Sequence, residues 1–106
     1  MINKEEILRK ESENDGQSIY LFRDEMIGMY VAYGLSAYYT TMVVEPYTSF
    51  SEELQMPLVL LKHEHILYLR QSLVKLEHIR GTYYHFLLRE PIGDAGYQRW
   101  LEKVKE

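Results

Sequence analysis

Two hydrophobic periods take turns along this chain. Ile66, Leu69, Leu73, Leu76 and Ile79 recur at three- and four-residue steps, with Arg70, Gln71, Lys75 and Glu77 between them. That spacing predicts a helix over 64–80 with one apolar stripe and one wet face, stopped by Gly81. Other segments lack the helical step. "MPLVLLKH" at 56–63 is a continuous apolar run that predicts a strand, and "SIYLFR" at 18–23 is too uninterrupted for a strand with one wet face and predicts one covered on both sides. Pro57 suits the first position of its strand. "TYYHFLLRE" at 82–90 predicts an aromatic-rich strand opened by Thr82, and "TMVVEP" at 41–46 a β-branched strand that Pro46 ends.

Shorter signals complete the pattern. "NKEEILRKE" at 3–11 predicts a short helix capped by Asn3, with Glu5 and Glu6 at its positive start. Ile2, Ile7 and Leu8 are its apolar anchors. "YTSFSEELQ" at 47–55 predicts a loop, with Ser49 and Glu52 at capping-box spacing for one helical turn. "PIGDAG" at 91–96 predicts a second loop. "YQRWLEKVK" at 97–105 predicts a terminal helix docked by Trp100, Leu101 and Val104.

The stretch "GMYVAYGLSAYYTTM", from Gly28 to Met42, has no charge and four tyrosines. From Met29 it predicts a helix with two stripes, Tyr30, Tyr33, Ala37 and Thr41 on one and Val31, Leu35, Tyr38 and Met42 on the other. Little polar face is left, so the helix is buried or lies under a partner. Gly34 inside it implies a close approach to another backbone. The resulting order, α–β–α–β–β–α–β–α, predicts an α/β (α+β) fold with a small mixed sheet of about four strands packed with helices in two layers.

Composition narrows the class. A chain of 106 residues, 46% hydrophobic and 26% charged, fits one globular domain with an adequate core. Its expected parts are an N-terminal helix and turn over 1–16, a core over 17–90 and a C-terminal helix over 91–106. With no cysteine there is no disulfide, thiolate metal site or thiol nucleophile. Neither a signal-peptide apolar region nor a membrane-length apolar window is present, so a cytoplasmic protein with no membrane partner is expected. Net charge is −4, with residues 1–16 at −2 and residues 55–90 at +2. The basic tilt places Arg70, Lys75 and Arg80 as candidate nucleic-acid contacts on a basic face over 62–89. The acidic net charge argues against a strong phosphate binder.

Candidate chemistry is sparse. "HEH" at 63–65, with His85 in a later strand, supplies imidazoles and a carboxylate that could ligate zinc or serve a metal-dependent enzyme. Residues two apart on a helix diverge by about 200°, so His63 and His65 do not face one point. No catalytic residue and no cofactor are assigned. The adjacent acidic pairs read as solvated charge. Ser36 and Ser72 lie without a nucleophile elbow, and no glycine-rich phosphate loop is present. Tyrosine joins an apolar body to a polar tip and is favoured at protein contacts. Tyr30, Tyr33, Tyr38 and Tyr39 are therefore the candidate interaction surface, for a homo-oligomer or another protein.

Three words of the sequence also resemble a known family. "IYLFRDEMIGMYVAYGLSA", "MPLVLLKHEHILYLRQSLVKL" and "GTYYHFLL" are similar, in order and pattern across 18–90, to successive blocks of the N-terminal mismatch-recognition domain (domain I) of MutS proteins. The resemblance implies that domain's scaffold in a small stand-alone protein. In the family a phenylalanine stacks on the mismatched base and a nearby glutamate hydrogen-bonds it. The matching positions here are Met29 and Val31, with Tyr30 between. Methionine is a poor stacking platform and valine makes no such bond, so mismatch reading is not implied. The expectation is a non-enzymatic binding module on that scaffold, with nucleic-acid binding as the alternative.

Overall fold

The computed structural model describes residues 3–106. Ile2, one expected anchor of the first helix, lies outside the described residues. Helix α1 (Lys4–Ser12) starts where the sequence places it, because Asn3 Oδ1 accepts from the amides of Glu5 and Glu6 at 2.9 and 3.3 Å. Strands β1 (Ser18–Asp24), β4 (Met56–Leu61) and β6 (Tyr83–Leu87) occupy the expected apolar runs, and α4 (Tyr97–Lys105) the expected terminal helix.

Elsewhere the elements differ, and each difference has a physical reason. The run from Met29 is not one helix. It opens as β2 (Met29–Tyr33), whose residues pair with Phe22–Asp24 of β1 on one side and Leu58–Leu61 of β4 on the other. Helix α2 (Gly34–Thr41) follows. Gly34 makes that change of direction at φ +57, a left-handed conformation that costs glycine little. Residues 41–46 form no strand, since the amides of Val43 and Val44 both donate to Thr40 O and wind off the end of α2. The chain extends only after Pro46, as β3 (Tyr47–Ser51), where a loop was expected. Ser51, rather than Ser49, makes the local turn bond, its Oγ accepting from Leu54 N at 3.2 Å.

The long helix expected over 64–80 is two elements. Helix α3 (His63–Ser72) ends as Leu73 turns extended at φ −122 and ψ 163, and β5 (Val74–Ile79) follows. A bulge between Lys75 and Glu77 breaks the two-residue alternation of β5. Its apolar residues therefore fall at helical spacing without being helical.

The sheet is accordingly six-stranded and antiparallel throughout, in the order β3-β4-β2-β1-β6-β5, instead of mixed with about four strands. The broader expectation of an α/β chain with helices packed on a sheet holds. The cross-strand register sorts the side chains onto two faces. Ile19, Leu21, Ala32, Val59, Leu61, Tyr84 and Phe86 face a core completed by Ala37 and Tyr39 of α2, Ile66 and Leu69 of α3, and Trp100 of α4. Phe22 and Tyr83 face the other way, under Ile7 of α1. Beyond Phe22, β1 parts from β2, and the amide of Tyr20 instead donates to Ser36 Oγ at the start of α2 (3.0 Å). Among the described residues no helix is long and apolar enough to cross a membrane.

Candidate functional site

Neither helix layer covers β5. All six of its residues are exposed, and its substantial contacts are with β6 alone. Val74, Leu76 and Ile79 are each 52% exposed, and among the described residues one side of the β5 backbone has no strand beside it. An edge strand in this state presents unpaired amides and carbonyls to any extended partner. Leu67 and Tyr68 of α3, just upstream, are exposed as well. Opposite charges, Lys75 and Glu77, flank Leu76.

The basic residues expected to contact nucleic acid lie around the same arm. His78 stacks on Tyr84 with ring centroids 4.0 Å apart and planes 4° apart. Its imidazole is held below the ordinary histidine range, first by desolvation and then by the charges of Lys75, Arg70 and Arg80. Those three cations, expected along one helix and its end, come instead from α3 (Arg70), β5 (Lys75) and the turn after it (Arg80), and act on one exposed ring. The stack continues inward from Tyr84 to Tyr30 (5.1 Å, edge-on), over whose ring the guanidinium of Arg23 sits at 5.6 Å. Sequence reasoning missed Arg23 and His78 here. The cross-strand pairs Arg23–Tyr30 and His78–Tyr84 carry the signal, and they become visible only once β2 and β5 are recognised as strands.

The four tyrosines expected at an interaction surface do not form one. Tyr39 is fully buried, and its hydroxyl donates to Gly93 O at 2.8 Å. Tyr38 packs on Tyr97 and Trp100 of α4, Tyr30 joins the Arg23–Tyr84 stack, and Tyr33 lies on the α1 side against Phe22. Desolvation raises the phenols of Tyr30 and Tyr33.

The histidines are not gathered. His65 Nδ1 accepts from the amide of Lys62 at 3.0 Å and closes the start of α3, where His63 is exposed. His85 lies on β6 with Nε2 2.9 Å from Ser18 Oγ, on the opposite sheet face from Tyr84. Among the described residues no group of three or more His, Cys, Asp or Glu side chains is placed to hold a metal ion. The Ser18–His85 pair is a serine–imidazole contact that the sequence did not suggest, with Glu77 opposite His85 on β5. Ser18 is 1% exposed, so no substrate reaches its hydroxyl and the pair is structural. Desolvation, then Lys10, holds the His85 imidazole below its ordinary range.

Glu11 is the most perturbed carboxyl. Its Oε1 accepts from Ser36 N at 3.1 Å, and Ser36 Oγ donates to its Oε2 at 2.5 Å. Tyr33, the residue before α2, makes no side-chain cap, so Glu11 caps that helix from α1. Burial pushes the carboxyl up to about 7, against the lowering effect of hydrogen bonds from Ser36, Leu35 and Asn14.

No family model, curated protein or solved structure matches this chain. Met29 and Val31, the positions expected to match the MutS recognition pair, both lie in β2. Val31 is 2% exposed, and Met29 is partly buried opposite Asp24.

Proposed function

We propose that this protein is a non-enzymatic interaction module that self-associates through β5, on a scaffold of the MutS domain I type without mismatch-reading residues. The observation that carries this reading is the exposed apolar row of Val74, Leu76 and Ile79 on an edge strand braced by β6 alone. An edge strand left uncovered by the helices gains little from its own burial, and a partner strand would cover both its apolar side chains and its open backbone. Two copies pairing antiparallel through β5 would cover each other's open backbone, and such a contact is isologous and closes as a dimer. Light scattering over a concentration series is expected to show dimer, and the double variant Val74→Lys/Leu76→Lys is expected to stay monomeric. Both positions are exposed, so the variant keeps the fold. A wild-type protein that stays monomeric at high concentration would sink the reading.

A second reading, nucleic-acid binding, rests on Arg70, Lys75 and Arg80 around the His78–Tyr84 stack. Single-strand binders combine stacking rings with cations in this way. Under it, a labelled single-stranded oligonucleotide binds at low salt, the affinity falls steeply as salt rises, and Lys75→Ala/Arg80→Ala weakens it. Absence of any anisotropy change at low salt removes it.

A further inference from the structure

A groove of about 560 Å³ lies on the α1 side of the sheet, between the start of α1, the β1–β2 turn and the β3–β4 turn. Its floor is apolar. Ile7, Tyr33 and Leu54 belong to the cluster beneath α1. Its rim carries three carboxylates, Asp24, Glu25 and Glu53, against one cation, Lys4. Met26 stands at the lip, 96% exposed. Burial, then Asp24 and Glu53, raises the Tyr33 phenol, so two of the carboxylates direct their field onto the floor ring.

The groove has contents of the right kind already. The ammonium of Lys4 is ion-paired with Glu53. Both side chains are more than half exposed, and such pairs hold weakly and exchange readily. Lys4 therefore shows what the rim accepts without filling the floor. An apolar floor ending in carboxylates fits a side chain with an aliphatic stem and a cationic head, and the Tyr33 ring adds attraction for a cation over its face. A bare metal ion has no use for Ile7 and Leu54. The groove also includes Ser51, the last residue of β3, which is the other edge strand of the sheet. Among the described residues no strand lies beyond β3, so an extended segment can pair beside Ser51 and turn one side chain inward.

We propose that this groove receives a lysine or arginine side chain presented by an extended segment of a partner protein. The site is independent of β5, at the opposite edge of the sheet, and stands or falls separately from self-association.

The test is an NMR titration of the full ¹⁵N-labelled chain with a blocked pentapeptide centred on Leu-Lys-Leu. The same peptide with acetyl-lysine and free butylamine serve as comparisons. The lysine peptide is expected to shift the amides of Asp24, Met26, Tyr33, Ser51 and Leu54 and to lose affinity as salt rises. The acetylated peptide, lacking the charge, is expected to bind at least about fivefold more weakly. Lys4→Gln, which frees the rim, is expected to tighten binding, and Asp24→Asn/Glu53→Gln to weaken it by about fivefold or more. Asparagine keeps the acceptor that Met26 N uses on Asp24, and the amide spectrum itself reports that each variant is folded. Shifts spread over acidic residues elsewhere, or equal binding of the acetylated peptide, would overturn the site. Butylamine binding as well as the peptide would overturn the partner segment.

Discussion

Tyr39→Ala is expected to cost about 4 kcal/mol of unfolding free energy, within the range for emptying a large aromatic from a core. Tyr39 is fully buried, where α2 meets the sheet core and the loop before α4. Its ring packs against Tyr38, and its hydroxyl holds the Gly93 carbonyl at 2.8 Å. Burial, then Asp94, pushes the phenol up to about 12, so it remains a proton donor across the working pH range. Alanine removes the ring and strands the carbonyl together. Tyr39→Phe separates the two effects, keeping the ring and losing about 1 kcal/mol for the unmade bond. A domain of this size has about 5–15 kcal/mol in all, so the alanine variant is expected to shift the urea midpoint far down. Loss of less than about 1 kcal/mol would mean that the ring has room to be replaced by solvent and that Tyr39 is no core residue.

That a tyrosine expected at a surface anchors the core shows where the sequence was legible and where it was not. Segments with a single available reading came through. Asn3 followed by Glu5 and Glu6 caps α1, and the continuous runs at β1, β4 and β6 are strands. Segments compatible with two periods did not. Residues 29–33 satisfy both a helical stripe and a buried strand, and only long-range pairing with β1 and β4 decides between them. Residues 74–79 fit a helical stripe because a bulge displaces the parity of the strand. Local propensity carries no information about either event.

The site suffers in the same way. Taken as a helix, residues 64–80 put Arg70, Lys75 and Arg80 on a solvated face. Taken as α3 and β5, they put an apolar row on a free sheet edge and three cations around His78. The tyrosine count pointed to interaction, whereas the exposed apolar edge consists of valine, leucine and isoleucine. Composition registers what a side chain favours. The register of the sheet decides which side chains are left uncovered.

Glu11 carries the second large effect, and it concerns pH. Its carboxyl joins α1 to the first turn of α2, where Gly34 comes so close that an added Cβ would lie 3.2 Å from Oε1. Burial raises the folded pKa from 4.5 to about 7. The folded state therefore holds a proton that the unfolded chain has released. The stability this supplies is fully present below about pH 4.5 and is lost as pH rises through about 7. Each pH step of one between those two values removes about 1.4 kcal/mol, so the whole loss is about 3 kcal/mol. Glu11→Gln fixes the neutral form. The amide oxygen still accepts from Ser36 N, and the amide nitrogen can donate to Ser36 Oγ. His78 and His85, held below their ordinary range, act in the opposite sense, since folding favours their neutral forms and gains as pH rises through about 6.5. Both proteins share those histidines, so the difference between their stability curves isolates Glu11. Urea denaturation from about pH 5 to about pH 8 is expected to show the variant gaining on the wild type by about 3 kcal/mol across the range. Parallel curves would mean that the carboxyl titrates as it does in water, and that the Glu11 cap on α2 costs nothing to ionise.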